Sequence, residues 1–83
     1  MHQVKQFDAF YIIMLIMKWN EKLKQARETK QLTQIQVANN LKISRGAYAN
    51  YEQGVHEPSL EMLRKICDLL DISADYLIGR IDY

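Results

Sequence analysis

Read as an alternation of apolar and polar positions, the 83-residue chain changes character at Trp19. Upstream, residues 10–17 (FYIIMLIM) are apolar without interruption. A membrane-spanning helix needs roughly 20 such residues, and Lys18, Trp19 and Asn20 follow where a small-residue cleavage site would stand. The run therefore predicts neither a span nor an export signal. Downstream the spacing becomes helical. Trp19, Leu23 and Ala26 recur on one side, with Glu21, Lys22, Lys24, Gln25 and Glu28 expected outside. Thr33 with Gln36 three residues on reads as a capping box, which starts a helix at Thr33 and carries it to about Leu41. Ser44 caps the next helix, ending near Glu52 with Gly54 as its stop. Pro58-Ser59 opens a fourth, whose apolar stripe is Leu60, Leu63, Ile66, Cys67 and Leu70. Ser73 caps a last short helix over 74–78, closed by Gly79. No segment has strand period. The predicted fold is all-α: five short helices behind an apolar N-terminal segment.

The stretch SRGAYANYE, residues 44–52, places Tyr48 and Tyr51 on one helical face and leaves small or hydrogen-bonding residues on the other. Around Ala38, the residues Val37, Leu41, Ile43, Tyr48 and Tyr51 stand at −1, +3, +5, +10 and +13, and all are apolar or aromatic. Two helices joined by a short turn at a steep angle need that arrangement. A small residue at Ala38 lets the second helix approach, the apolar set clamps the pair to the rest, and the bare face is left to enter a DNA major groove.

From about Leu23 to Arg80, some seven-tenths of the chain, the sequence resembles the Cro/CI-type helix-turn-helix regulators, the XRE or lambda-repressor-like fold. The stretches that carry the resemblance are LKQARETKQLTQIQVANNL, KISRGAYANYEQG, PSLEMLRKICDLLDIS and ADYLIGR. It implies a five-helix domain that is cytoplasmic and binds palindromic operators as a homodimer. Carried over by position, it gives Gln34 a phosphate contact and puts Ser44, Arg45, Gly46 and Asn50 at groove-facing positions. The chemistry agrees, because Arg can grip guanine with two hydrogen bonds and Asn can do so for adenine. Ala47 and Ala49 could touch thymine methyls. His56, in the following loop, reads either as a phosphate contact or as an exposed loop residue. Arg27 and Glu52 match a position pair that forms an ion pair in the family. Two positions depart from the pattern. Lys42 replaces the usual glycine of the turn, at a cost of about 1 kcal/mol for a left-handed residue with a Cβ, and it brings a cation toward the DNA backbone. Gly46 weakens the helix that contains it.

Composition adds limits. Apolar residues at 48% and charged residues at 25% suit one small globular domain. The single Cys67 excludes an internal disulfide, and there is no Cys/His spacing for a metal. Net charge is +1 overall, but residues 1–56 carry eight Lys/Arg against four Asp/Glu, and residues 57–83 carry three against six. That polarity fits a basic side toward a polyanion and an acidic end turned away. No nucleophile–base–acid set, phosphate-binding glycine loop or metal cluster supports an enzyme or a cofactor. The sequence is thus read as a DNA-binding transcriptional regulator, a repressor, over residues 19–83. The alternative is an antitoxin that binds a protein partner and regulates its own operon. Residues 1–18 read either as sequence ahead of a true start at Met17 or as an arm for a protein partner. Tyr76, Leu77, Ile78, Ile81 and Tyr83 suggest pairing of two copies through the C-terminal end.

Overall fold

The computed structural model describes residues 16–79. The expectations for residues 1–15, and for Arg80, Ile81 and Tyr83, fall outside the described residues. Within them are five helices: α1 (Trp19–Thr29), α2 (Gln34–Leu41), α3 (Arg45–Glu52), α4 (Leu60–Leu70) and α5 (Ala74–Ile78). None is long and apolar enough to cross a membrane. The all-α, five-helix expectation holds.

Local chemistry sets the boundaries. The Lys18 N–H donates to the Glu21 carboxylate at 3.0 Å and opens α1. At α2 the capping box closes in both directions. Thr33 Oγ1 accepts from the Gln36 N–H at 3.1 Å, and Gln36 Oε1 accepts from the Thr33 N–H at 2.8 Å. Ser44, Ser59 and Ser73 each accept from the N–H three residues on, at 3.0, 3.1 and 3.0 Å. Each such cap satisfies an otherwise orphaned donor and is worth about 1 kcal/mol. Left-handed residues then end or redirect the chain at Gln31 (φ 61°), Lys42 (φ 61°), Asp71 (φ 58°) and Gly79 (φ 80°).

The core lies where α1, α2, α3 and α4 converge, with α5 closing one side. Leu23, Val37, Ala38, Tyr48, Ile66, Leu70 and Leu77 are almost wholly buried. Leu→Ala at such sites typically costs 2–5 kcal/mol, so this cluster holds the helices together. Cys67 is buried with it; burial, then the nearby Asp68, pushes its thiol above its ordinary pKa and keeps it unreactive.

Three expectations are corrected here. Leu60 was placed in the stripe of α4, but it is 79% exposed; as the first helical residue it stands on the outer turn beside the cap. Lys22 was placed outside, yet it is buried. α5 packs over that flank of α1. The Lys22 ammonium donates to the Tyr76 carbonyl at 3.1 Å and lies 5.0 Å from the centre of the Tyr76 ring. A cation at a helix C-terminus is well placed for its free carbonyls. Leu77 was counted as surplus surface for pairing, but it is 1% exposed and belongs to the core; its neighbour Ile78 remains exposed.

Candidate nucleic-acid interface

The turn between α2 and α3 is made by Lys42, whose φ of 61° and ψ of 41° are left-handed. The Ile43 N–H reaches back to the Ala38 carbonyl at 3.0 Å, which closes the end of α2 and starts the chain toward α3. Ala38 is fully buried, and α2 and α3 pack directly on one another. Val37, Leu41 and Tyr48 are buried alongside it, while Ile43 and Tyr51 are half-buried and pack against the core. The Tyr48 and Tyr51 rings meet edge to face, 6.3 Å apart.

One buried carboxylate ties three helices. Glu52, at the end of α3, accepts from Arg27 Nε at 2.6 Å and Arg27 Nη2 at 3.1 Å. It also accepts from Gln34 Nε2 at 3.0 Å. The third Arg27 donor, Nη1, reaches the Leu32 carbonyl at 2.8 Å. Burial pushes the Glu52 carboxyl upward, but the hydrogen bonds from Arg27 and its other neighbours outweigh burial and hold it below its ordinary pKa. The same hydrogen bonding raises Arg27, which stays charged. Burial, then the adjacent Glu52 carboxylate as a close acceptor, lifts the Tyr48 hydroxyl far above the usual phenol range, although the hydroxyl's geometry falls short of a full hydrogen bond among the described residues.

Asn20 completes the arrangement. Its Nδ2 donates to the Glu52 carbonyl at 3.0 Å. Gly54, at φ 75°, lies so close that a Cβ would sit 3.1 Å from Asn20 Cγ. Glycine is required there twice over, by backbone and by space. Neither Asn20 nor Lys22 was singled out in sequence. Both read as ordinary polar positions of α1, and no local signal marks a partner 32 or 54 residues away.

Against this fixed inner side, the outer side of α3 is open. Ser44, Arg45 and Gly46 are exposed and Asn50 is half-buried. The Arg45 and Asn50 side chains enter no hydrogen bond or ion pair among the described residues. The space a Cβ would take at Gly46 is empty to 4 Å. Lys42 is exposed at the turn, and so is His56 beyond α3; the His56 N–H and the Val55 N–H return to the Asn50 carbonyl at 3.4 and 2.9 Å. Two expected contacts are placed differently. Ala49, assigned to the bases, is 9% exposed and packs inward, since it follows Tyr48 around the helix toward α1. Gln34, assigned to phosphate, has its amide committed to Glu52.

A family model described as "Helix-turn-helix domain" matches residues 20–82. The chain belongs to that family, in its Cro/CI or XRE branch. It is 45% identical over 60 residues to an uncharacterised HTH-type transcriptional regulator, YqaE of Bacillus subtilis, covering 72% of this chain and 52% of the relative. It is 44% identical over 64 residues to the cryptic phage CTXphi transcriptional repressor RstR of Vibrio cholerae, covering 77% and 57%. The chain thus spans about half the length of these relatives. The crystal structure of the P22 c2 repressor with a synthetic operator superposes with a TM-score of 0.73 at 23% identity, covering 78% of this chain and 98% of that one. That likeness is one of fold.

Proposed function

We propose that the protein is a cytoplasmic, sequence-specific double-stranded DNA-binding repressor, which sets α3 of each of two copies into successive major grooves of a palindromic operator. The observation that carries this reading is the outer face of α3, where the side chains of Arg45 and Asn50 enter no hydrogen bond or ion pair among the described residues and the Cβ space at Gly46 is empty. A glycine in a helix interior costs about 1 kcal/mol against alanine. Nothing internal needs that glycine at position 46, whereas a helix backbone lying against base edges would. Arg45 and Asn50 are the base readers, with Ser44 beside them. Lys42 and His56 flank them toward phosphate. Gln34 serves the backbone through the free N–H groups at the start of α2, since its amide is held by Glu52. No enzymatic step enters the proposal.

The test is a binding titration against an operator selected from random DNA and against a scrambled duplex, at several salt concentrations. Base contacts discriminate, while phosphate contacts supply affinity without sequence information. Arg45→Ala is expected to lose about 1–3 kcal/mol per half-site on operator and little on scrambled DNA. Lys42→Ala is expected to weaken both and to lower the salt slope by about one unit. Equal losses on both duplexes for Arg45→Ala would remove its base-reading role. No effect of either variant on any DNA would turn the motif toward a protein partner, as in an antitoxin.

A further inference from the structure

The C-terminal ends of α1 and α4 line a hollow of about 380 Å³ beside α5. Its apolar wall is Ala26 of α1, Leu70 of α4, Ile72 of the turn that follows and Tyr76 of α5. In size and lining it is of the kind that holds a small organic molecule. Gln25 is its unusual member. The residue is half-buried, its Oε1 is screened from solvent, and that oxygen accepts no hydrogen bond among the described residues. A buried acceptor without a donor is costly to a folded protein.

The charges of the lining favour a cation. Asp71 is exposed, and its carboxylate enters no hydrogen bond or ion pair among the described residues. It stands at the C-cap of α4, and Thr29 ends α1, so the negative ends of two helix dipoles add to the same field. Lys30 is the one cation of the lining. It is exposed, and its long stem lets the ammonium stay in water. The Lys22 ammonium donates to the Tyr76 carbonyl and is not part of the lining. We infer that the hollow binds a small organic amine, its apolar body against Leu70, Ile72 and Tyr76 and its N–H donors directed to Gln25 Oε1 and the Asp71 carboxylate. The site shares no residue with the outer face of α3 and does not depend on the DNA-binding reading.

The probe is phenethylamine, with hydrocinnamate as an anion of similar size, each titrated into the full chain and followed by amide NMR. Phenethylamine is expected to bind saturably with a Kd of about 1 mM or below, shifting the amides of Thr29, Asp71 and Tyr76, whereas hydrocinnamate is not. Gln25→Met keeps the length of the side chain and removes the acceptor. It is expected to weaken the amine by at least about fivefold, while the melting temperature of the free protein holds or rises. Asp71→Asn suits a left-handed cap and is expected to weaken the amine by about tenfold. The amine should also raise the melting temperature of the wild type and not that of Gln25→Met. The inference is overturned by the absence of saturable shifts at about 10 mM amine, by hydrocinnamate binding as tightly, or by undiminished binding in both variants.

Discussion

The Glu52 carboxylate has a side chain only 3% exposed and holds two donors of Arg27 and one of Gln34. Glu52→Gln leaves the Arg27 charge buried with a neutral partner, a change of about 3 kcal/mol in a pair of this kind. Glu57→Gln, in an exposed loop, is expected to change stability by less than about 0.5 kcal/mol. Thermal unfolding should therefore separate the two variants by more than about 10 °C, and equal melting temperatures would refute the network's role. The carboxyl also carries a pH signature. Its folded pKa lies below the ordinary value of 4.5, so its contribution is complete above that value and is lost as pH falls through the folded pKa. Wild-type melting temperature should drop below about pH 4.5 more steeply than that of Glu52→Gln. Gly46 offers the opposite case. With 4 Å of empty space at its Cβ position, Gly46→Ala should stabilise the free protein by about 0.5–1 kcal/mol while weakening operator binding. A variant that is both more stable and an equal binder would show that no ligand approaches the helix there.

At the level of helices and turns, the α2–α3 turn has a residue with a Cβ in the left-handed region. Lys42→Gly removes a strain of about 1 kcal/mol and returns up to about 1 kcal/mol of unfolded-state entropy. Denaturant unfolding should thus show equal or slightly higher stability, whereas a clear loss would mean that the lysine stem packs in the turn. Helix starts were legible because each is written in three or four adjacent residues: Thr33 with Gln36, then Ser44, Ser59 and Ser73. The turn at Lys42 was legible only through the family pattern. The left-handed residues Gln31 and Asp71 were not, since nothing in Gln or Asp demands positive φ, and the geometry of the flanking helices imposes it. The stripe of α4 was read one residue too far at Leu60, because periodicity ignores where a helix leaves the core. Lys22 and Asn20 escaped for a related reason: their partners lie on α5 and at the end of α3, and only the packed fold brings them near. At the candidate interface, residue types pointed to Arg45 and Asn50, but the inward turn of Ala49 and the engagement of Gln34 depend on how α1 and α3 meet.

For the whole molecule, the proposed pairing of two copies through the α5 end would use Ile78, which is exposed. A twofold arrangement would set the two α3 helices about 34 Å apart, one turn of DNA. Ile78→Asp should weaken self-association and operator binding together, leaving the melting temperature of the monomer nearly unchanged because the side chain is 55% exposed. Sedimentation and operator titration at matched concentrations test this, and a monomeric wild type that binds a single half-site tightly would contradict it. The inner and outer sides of α3 have a further consequence. Tyr48, Ala49 and Glu52 hold the helix in place and Ser44 caps it, whereas the side chains of Arg45 and Asn50 enter no hydrogen bond or ion pair among the described residues. Substitutions of the Arg45 and Asn50 side chains should therefore carry little penalty to folding, so under the proposed function descendants of this chain can drift from one operator to another through viable intermediates.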